Sequence, residues 1–411
     1  MKQLLHFFRK YIIVVLLSSF FIISFGCVEE ANPVGAKLIP PKDAQVLKVD
    51  TLYAASHYTQ YVPSNNSGTD QFFVGNYGPL TSWGLLRFPL FADTVFGGQI
   101  LSASVRLKVF SHQGDSLAEL SFIPYKLLES FDGDSLTFDS LQANPSFYYD
   151  PTPIGKIFSR SHIGDADYID FSLDTAVVHR WFTSLADSVN YGMLLMPTNT
   201  NVIKGFSSFN SYDSSFVPKL TVTYHPFVDS TQSIDITRTL TFEDTTSTSR
   251  YLPYLDSTSL NKNPKMLYVL AGVPYREVLT FKDVSRLPSP CIINSSTLRL
   301  AQNKQLTKLG GYVSDSLIST YLNDDGSMGS TFSTSIDSIS SAGTPDHPHV
   351  VYYFDTRQEV QSWVEGYLKQ PRIEIMGYNE SSSFDLHVMY GSDTAAVLLP
   401  RIIVTYSTKL H

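Results

Sequence analysis

The fold is indicated by two short stretches, Leu85-Leu86-Arg87-Phe88 and Ala103-Ser104-Val105-Arg106-Leu107, because each has a similar counterpart later in the chain. The first returns as Val278-Leu279-Thr280-Phe281 and the second as Ser296-Thr297-Leu298-Arg299-Leu300, both 193 positions later (281 against 88, 300 against 107). Self-similarity at one fixed offset indicates a repeated structural unit. The chain is therefore predicted to contain one unit written twice.

Two later blocks extend the repeat. Val178-His179-Arg180-Trp181 is echoed by Val360-Gln361-Ser362-Trp363, and residues 218–224 by residues 400–406, both at an offset of 182 (363 against 181, 406 against 224). The bounds that follow are a first domain at 45–226 and a second, divergent copy at 232–407. Residues 27–44 are then a tether, and residues 1–26 are a signal peptide.

Most of each unit is predicted to be strand. Val105, Leu107 and Val109 alternate with Arg106 and Lys108, which is the period of a half-buried sheet. Gly- and Asp-rich turns separate many short runs of this kind. The predicted fold is all-β, with two tandem jelly-roll-like antiparallel β-sandwich domains.

One short helix per unit is predicted to cover an end of each sandwich. Val360, Trp363, Val364 and Tyr367 recur at helical spacing after a capping Asp355-Thr356, and residues 174–185 repeat the arrangement around Trp181. An apolar helical stripe normally faces a core, so Trp181 and Trp363 are predicted to be buried.

The N-terminus predicts export and lipid anchoring. Lys2, Arg9 and Lys10 precede an apolar run over 11–25, and the run ends at Gly26-Cys27, where a small residue before cysteine fits a lipoprotein signal peptidase. Cleavage would leave Cys27 as an acylated N-terminus in a membrane. An uncleaved signal anchor is the alternative, since the run is only slightly short of the roughly 20 apolar residues of a spanning helix.

The residues after Cys27 bear on location. Glu29 and Glu30 resemble the acidic signal of surface-exposed bacterial lipoproteins, although a plain solvated tether has the same composition. The predicted location is the outer membrane, exposed at the cell surface, with its periplasmic face as the alternative. Cys291 is the only other cysteine, so with Cys27 acylated no intrachain disulfide is expected.

Charge excludes one class of partner. The formal charge is −8, and removal of a signal that carries three basic residues and no acids leaves −11 (−8 − 3). A net negative chain without Lys/Arg clusters lacks the electrostatic footprint of a nucleic-acid binder.

In chain order, the blocks resemble the DNRLRE family of extracellular β-sandwich modules, which overlaps with a carbohydrate-binding-module class. The resemblance covers 45–226 well and 232–407 more loosely. It rests on Leu85–Phe88, Ala103–Leu107, Leu136–Phe138 with Pro145 following, the helix ending at Trp181, Asn190–Leu194 and Pro218–Tyr224. Phe138 stands where the family usually has tryptophan, and the second copy has a Ser-rich stretch (327–341) in place of that segment. The resemblance implies an extracellular binding role without specifying a ligand.

No catalytic motif is present: the sequence has no Gly-x-Ser-x-Gly, His-Glu-x-x-His or phosphate loop. We therefore predict that the chain is not an enzyme, and a hydrolase with an unrecognised site is the least favoured hypothesis. Two pairs of acidic residues, Asp132/Asp134 and Asp165/Asp167, are candidate ligands for a structural Ca²⁺, although ordinary turns favour the same residues.

Aromatic residues in predicted loops are candidate binding residues. Tyr58, Tyr61, Tyr148 and Tyr149 could stack on sugar faces if they are exposed, although aromatic residues also fill sandwich cores. The predicted function is a non-catalytic surface lipoprotein that binds an extracellular polymer, with polysaccharide favoured. The alternative is a structural or adhesive envelope protein that contacts other proteins through its sheet edges.

Overall fold

A computed structural model describes residues 45–409, except 62–65, 67, 89–98, 133–135, 184–189, 199, 226–235, 241–246, 259–262, 274, 311–315, 345–346, 379, 381–382 and 392–396. The predicted signal peptide, the tether and Cys27 therefore lie outside the described residues. Within them, no helix combines the length and the apolar character needed to cross a membrane.

The chain is built almost entirely of antiparallel strands. The strands up to residue 225 are β1 (Gln45–Tyr61), β2 (Gln71–Tyr77), β3 (Leu80–Arg87), β4 (Gln99–Gly114), β5 (Leu120–Leu127), β6 (Tyr149–Pro153), β7 (Phe158–Arg160), β8 (Tyr168–Ser172), β9 (Met193–Pro197), β10 (Val202–Ser207) and β11 (Lys219–His225). The later strands are β12 (Ile236–Leu240), β13 (Thr248–Leu255), β14 (Met266–Leu270), β15 (Tyr275–Phe281), β16 (Ile292–Ala301), β17 (Leu317–Leu322), β18 (Met328–Thr334), β19 (Ile336–Thr344), β20 (His347–Asp355), β21 (Arg372–Gly377), β22 (Leu386–Tyr390) and β23 (Arg401–Lys409). The helices are α1 (Phe138–Ala143), α2 (Pro145–Tyr148), α3 (Thr175–Thr183) and α4 (Arg357–Glu365), with a 3₁₀ turn at Val284–Arg286.

These strands form two curled antiparallel sheets, which confirms the predicted all-β class. The first sheet runs β12-β11-β4-β10-β2-β3-β9-β5-β6, with β13 paired to β3, β7 to β5 and β8 to β4. The second runs β18-β17-β21-β15-β1-β23-β16-β20-β19, with β14 paired to β15 and β22. The first sheet curls around the larger apolar core, which also takes in side chains of β14, β15 and β22 from the second sheet, and the rest of the second sheet surrounds a second core.

The alternation read from the sequence decides which side chains enter the first core. Along β4, Val105, Leu107 and Val109 are fully buried, whereas Arg106 and Lys108 point away from that core. Each fully buried aliphatic side chain of this size contributes about 1.5–3 kcal/mol. A one-residue shift of register would expose the whole set, so the pattern also determines the pairing.

The two predicted cover helices are present, and their tryptophans are buried. Trp181 on α3 is 2% exposed and Trp363 on α4 is 7% exposed. An aspartate precedes each helix and binds one of its first amides, since Asp174 accepts from the Ala176 amide at 2.7 Å and Asp355, one residue before the N-cap Thr356, accepts from the Arg357 amide at 3.0 Å. The prediction that Tyr367 belongs to the apolar face of α4 was wrong, since Tyr367 is 76% exposed. The helix ends at Glu365, and Gly366 then turns the chain with a φ of 79°.

The two halves exchange their N-terminal strands. β1 pairs with β15 of the second half, from Ala54 opposite Phe281 to Tyr61 opposite Tyr275. In return, β13 pairs with β3 of the first half along its whole length. The two pairings are equivalent, because His57 lies opposite Leu279 and Ser249 opposite Leu86, and these leucines are related by the 193-residue offset.

Strand pairing thus crosses the domain bounds predicted from the repeat, 45–226 and 232–407. Leu52 and Ala54 of β1 pack in the core of the second half, and Tyr251 and Leu255 of β13 pack in the core of the first. Residues Val49–Tyr406 accordingly form a single compact unit. The order of the blocks in the sequence carries no sign of this exchange.

The exchange predicts which fragments fold. A fragment 66–258 contains all strands of the first sheet and should unfold cooperatively in urea. A fragment 45–226 lacks β13, and β1 could replace it only by placing Thr59 and Gln60 at the positions of the buried Tyr251 and Leu252. We expect that fragment to expose the β3 edge and to aggregate or melt without a cooperative transition, as followed by circular dichroism. Equal urea midpoints for the two fragments would contradict the exchange.

Candidate functional site

The outer face of the first sheet carries an apolar cluster separate from the main core. Side chains on one face of a sheet come from alternate residues, which here include Trp83 and Leu85 of β3, Leu252 and Tyr254 of β13, and Met196 of β9. Helix α1 lies over one part of this face and contributes Phe138 and Leu141. The cluster therefore combines both halves of the chain on one surface.

At one end of this face lies an open depression, which we call the aromatic groove. It has a volume of about 450 Å³ and is lined by Asn76, Thr81, Trp83, Phe138, Asp139, Gln142, Met196, Pro197 and Tyr254. This size falls within the range of small-molecule and sugar sites, and its lining mixes aromatic rings with a few polar groups.

Three aromatic rings in contact form its apolar side, two of them stacked and the third tilted by 56°. Phe138 lies parallel to Tyr254, with ring centroids 4.5 Å apart and an interplanar angle of 12°. Trp83 packs against the same Phe138 at 4.7 Å. Trp83 and Phe138 are almost fully buried and Tyr254 is half-buried, so the outermost ring is held rigidly by the two beneath it.

A capping box positions the helix that supplies Phe138. Thr137 Oγ1 accepts from the Ser140 amide at 3.2 Å, and Ser140 Oγ accepts from the Thr137 amide at 2.9 Å. Helical spacing then points Phe138 and Leu141 into the cluster and leaves Asp139 and Gln142 exposed at the rim. The local sequence thus sets a polar rim directly above an aromatic floor.

The groove contains a polar group with unused hydrogen-bonding capacity. Asn76 Nδ2 donates to Thr81 Oγ1 at 2.9 Å across the β2–β3 pair. The other polar atom of that amide, Oδ1, is buried and has no hydrogen-bond partner among the described residues. A buried acceptor without a partner costs free energy unless a ligand or water donates to it.

Of the predicted binding residues, Tyr61 lies nearest the groove. It is 40% exposed. Partial burial, the carboxylate of Asp139 and the neighbouring Tyr254 together raise its pKa to about 12. Tyr58 is also exposed but projects from the opposite face of β1, because the two tyrosines are three positions apart in a continuous strand. The structure therefore does not bring Tyr58 and Tyr61 together.

The other predicted pair lies at the rim of the same apolar cluster but does not line the groove. Tyr148 ends α2 and Tyr149 opens β6, and both are partly buried rather than freely exposed. Tyr149 packs against Tyr125 at 5.4 Å, and burial raises its pKa. The exposed ring of that segment is Phe147, at 57%.

The predicted calcium ligand Asp132 is engaged by arginine. Its two oxygens accept from Arg87 Nη1 and Nη2 at 2.6 and 2.8 Å, and its main-chain oxygen accepts from Arg250. Burial pushes its pKa up, but the bonds from Arg87 and Ser130 hold the pKa below its usual value. Its predicted co-ligand Asp134 lies outside the described residues.

At the second predicted calcium site, a buried lysine lies close to the carboxylate. The Lys204 side chain is fully buried, and its Nζ donates to the main-chain oxygens of Ile163 (2.7 Å) and Ser116 (3.0 Å) and lies 3.7 Å from Asp165. Asp165 also contacts His112 at 2.7 Å, and Asp167 accepts from the Gly164 amide at 2.8 Å.

An ammonium group therefore lies among the oxygens that a calcium ion would need. A second cation there would be repelled by it, so this geometry disfavours the prediction of calcium at Asp165 and Asp167. Throughout the described part of the chain, no three His, Cys, Asp or Glu side chains come close enough to share a metal ion.

Chelation provides the corresponding test. Since Arg87 and Lys204 already neutralise these acids, we expect the melting temperature of the mature protein to be the same in excess EDTA and in excess Ca²⁺. Replacing Lys204 with Met should lower it clearly, because two main-chain oxygens lose their buried donor. A fall in melting temperature with EDTA alone would restore the calcium prediction.

The equivalent position in the second half has different chemistry. The 193-residue offset that relates the two blocks places Arg276 where the first half has Trp83. Arg276 donates to Glu380 at 2.8 and 2.7 Å and lies 3.6 Å from Glu374, a fully buried side chain whose pKa is raised by burial. An ion cluster thus occupies the place of the aromatic floor.

Sequence reasoning identified Tyr61 but missed Trp83, Phe138 and Tyr254 as a group. These residues are far apart in sequence, and Tyr254 belongs to the second repeat. The only signal in the sequence was Phe138, to which the resemblance described above drew attention. The missing information was the strand exchange, which brings β13 to β3.

Comparison with known proteins adds no assignment. No family model matches the chain, and no curated protein matches it. A solved structure, described as that of infectious bursal disease virus Gx strain, aligns over 90% of this chain and 79% of its own with 11% identity and a TM-score of 0.11. A likeness at that score carries no argument about fold or function.

Proposed function

We propose that this chain is a non-catalytic, surface-anchored lipoprotein that binds polysaccharide through the aromatic groove. The observation that carries the proposal is the three-ring floor of Trp83, Phe138 and Tyr254 beneath the polar rim of Asn76, Asp139 and Gln142. The C–H face of a sugar ring is apolar and stacks on an aromatic ring, whereas its hydroxyls need hydrogen-bond partners around the edge. The resemblance to the DNRLRE family supports an extracellular binding role.

The number of carboxyl groups in the groove supports binding rather than hydrolysis. Glycosidases generally need two carboxyl groups on opposite sides of the scissile bond. Among the described residues that line the groove, Asp139 is the only carboxylate. The arrangement can hold a sugar and lacks the paired acids of that chemistry.

Replacing a ring of the groove tests this function. In affinity electrophoresis of the mature protein through gels that contain soluble polysaccharides, Tyr254→Ala should weaken retention roughly 2- to 10-fold, as expected for the loss of one stacking ring. Tyr61→Ala should act in the same direction, since Tyr61 lies at the edge of the groove. Tyr212→Ala is the matched control, because Tyr212 is 85% exposed and does not line the groove. Unchanged retention of Tyr254→Ala with every polymer that binds the wild type would exclude the groove.

Anchoring is the second part of the proposal, and it is supported by sequence alone. Cys27 follows a basic, then apolar segment and Gly26, and its acyl chains would contribute about 0.8 kcal/mol per buried CH₂. The mature chain would then display the groove outside the cell from the outer membrane.

Cys27→Ser should abolish incorporation of labelled palmitate and move the protein out of the detergent-extracted membrane fraction. Cys291→Ser is the control, because Cys291 is buried in the folded body and should not be acylated. Membrane retention of Cys27→Ser without acylation would favour the uncleaved signal anchor instead.

Protein contact is a second candidate function, and one observation favours it. Val49 and Tyr53 lie on one face of β1 and are 66% and 45% exposed. Exposed apolar side chains along a strand suit contact with another protein. Pull-down of an envelope protein that is lost in Val49→Ser/Tyr53→Ser and kept in Tyr254→Ala would support this function.

A further inference from the structure

We propose that the aromatic groove selects uncharged polysaccharides over anionic ones and that Asp139 sets this selection. The inference rests on the proposed function and adds the chemical class of the ligand. It starts from the charges around the groove and from the hydrogen-bonding groups that the groove presents.

The charge that the described residues bring to the groove is negative. Of the nine described residues that line it, Asp139 alone is charged, and none of the nine is Lys or Arg. Asp139 lies in the first turn of α1 and is exposed at the rim, directly beside the stacked rings. A uronate or sulfate group on a bound sugar would therefore lie near a carboxylate with no cation to compensate it.

The arginines on the same face of the sheet lie at its other end. Arg87 is four residues beyond Trp83 along β3, about 13 Å at the usual rise of a strand, and both its terminal nitrogens bind Asp132. Arg250 lies at the same end, opposite Leu85, and donates to the Asp132 main chain. Neither cation is placed to neutralise a ligand in the groove.

The negative charge of Asp139 already acts on the side chain of Tyr61. Partial burial is the largest cause of the raised pKa of Tyr61, and Asp139 is the next, which means that the carboxylate disfavours a second negative charge at the edge of the groove. A carboxylate on a ligand in that place would be disfavoured for the same reason.

The hydrogen-bonding groups of the groove favour the same ligands. The Asp139 carboxylate accepts only, and the buried Asn76 Oδ1 is an acceptor without a partner among the described residues. Hydroxyl groups of neutral sugars can donate to both. Carboxylate and sulfate groups present acceptors only, so replacing a hydroxyl by either one removes a donor and adds repulsion.

A matched pair of polymers separates charge from shape. A neutral polysaccharide that the wild-type protein retains is compared with its C6-oxidised form, which has the same backbone and carries uronate groups. Affinity electrophoresis of the full mature protein should show roughly tenfold weaker retention of the oxidised form at low salt and a smaller difference at high salt, because Asp139 is exposed and is screened.

Variants at Asp139 test whether this residue causes the difference in retention between the two polymers. Asp139→Asn keeps the shape of the side chain and should reduce the discrimination several-fold, and Asp139→Lys should reverse it in favour of the oxidised polymer. Glu365→Gln on α4 removes a charge far from the groove and should leave the ratio unchanged. Melting curves of all variants establish that they are folded.

Each outcome has a defined meaning. Equal or tighter wild-type binding of the oxidised polymer, lost in Tyr254→Ala and insensitive to Asp139→Lys, would overturn the charge selection while the proposed function stands. Retention of no polysaccharide would overturn both. A discrimination that Asp139→Asn and Glu365→Gln reduce equally would show that net charge acts instead of Asp139, and this too overturns the inference.

Discussion

The pairing of each N-terminal strand with the sheet of the other half is the constraint on which the rest of the structure depends. A strand edge presents unpaired amide and carbonyl groups that must find partners, and β3 and β15 find them in β13 and β1 respectively. Because the two exchanges are reciprocal, both edges are satisfied within one chain. The two sandwiches are consequently one folding unit over Val49–Tyr406.

The aromatic groove is a product of the same exchange. Tyr254 reaches Phe138 only because β13 lies beside β3, and Tyr61 is the last residue of the strand given in return. A surface assembled from both repeats is more rigid than a loop site, because its side chains stand on strands that are paired along their length. This explains how the partly exposed ring of Tyr254 keeps a fixed geometry without a covering lid.

Divergence between the two copies shows which features belong to the fold and which to the surface. The cover helix with its buried tryptophan is present in both halves, as Trp181 and Trp363. By contrast, the position of Trp83 in the first half is taken by Arg276 in the second, where it pairs with Glu380. The buried tryptophan is common to the two halves, whereas the outer face has aromatic rings in the first half and ions in the second.

The strand class, the two buried tryptophans and the turn at Asp165 could be predicted from the sequence alone, because these follow from local periodicity and from residues close together in the chain. The sequence also singled out Tyr61, but not the rings beside it. Tertiary structure alone decided where β1 and β13 pair, because main-chain hydrogen bonds are the same for any partner strand. Side-chain fit makes that choice: Tyr251 and Leu252 fill the first half, where Thr59 and Gln60 of β1 would not. Likewise, only the folded chain shows that Lys204 lies against Asp165, since that contact joins residues on separate strands and turns.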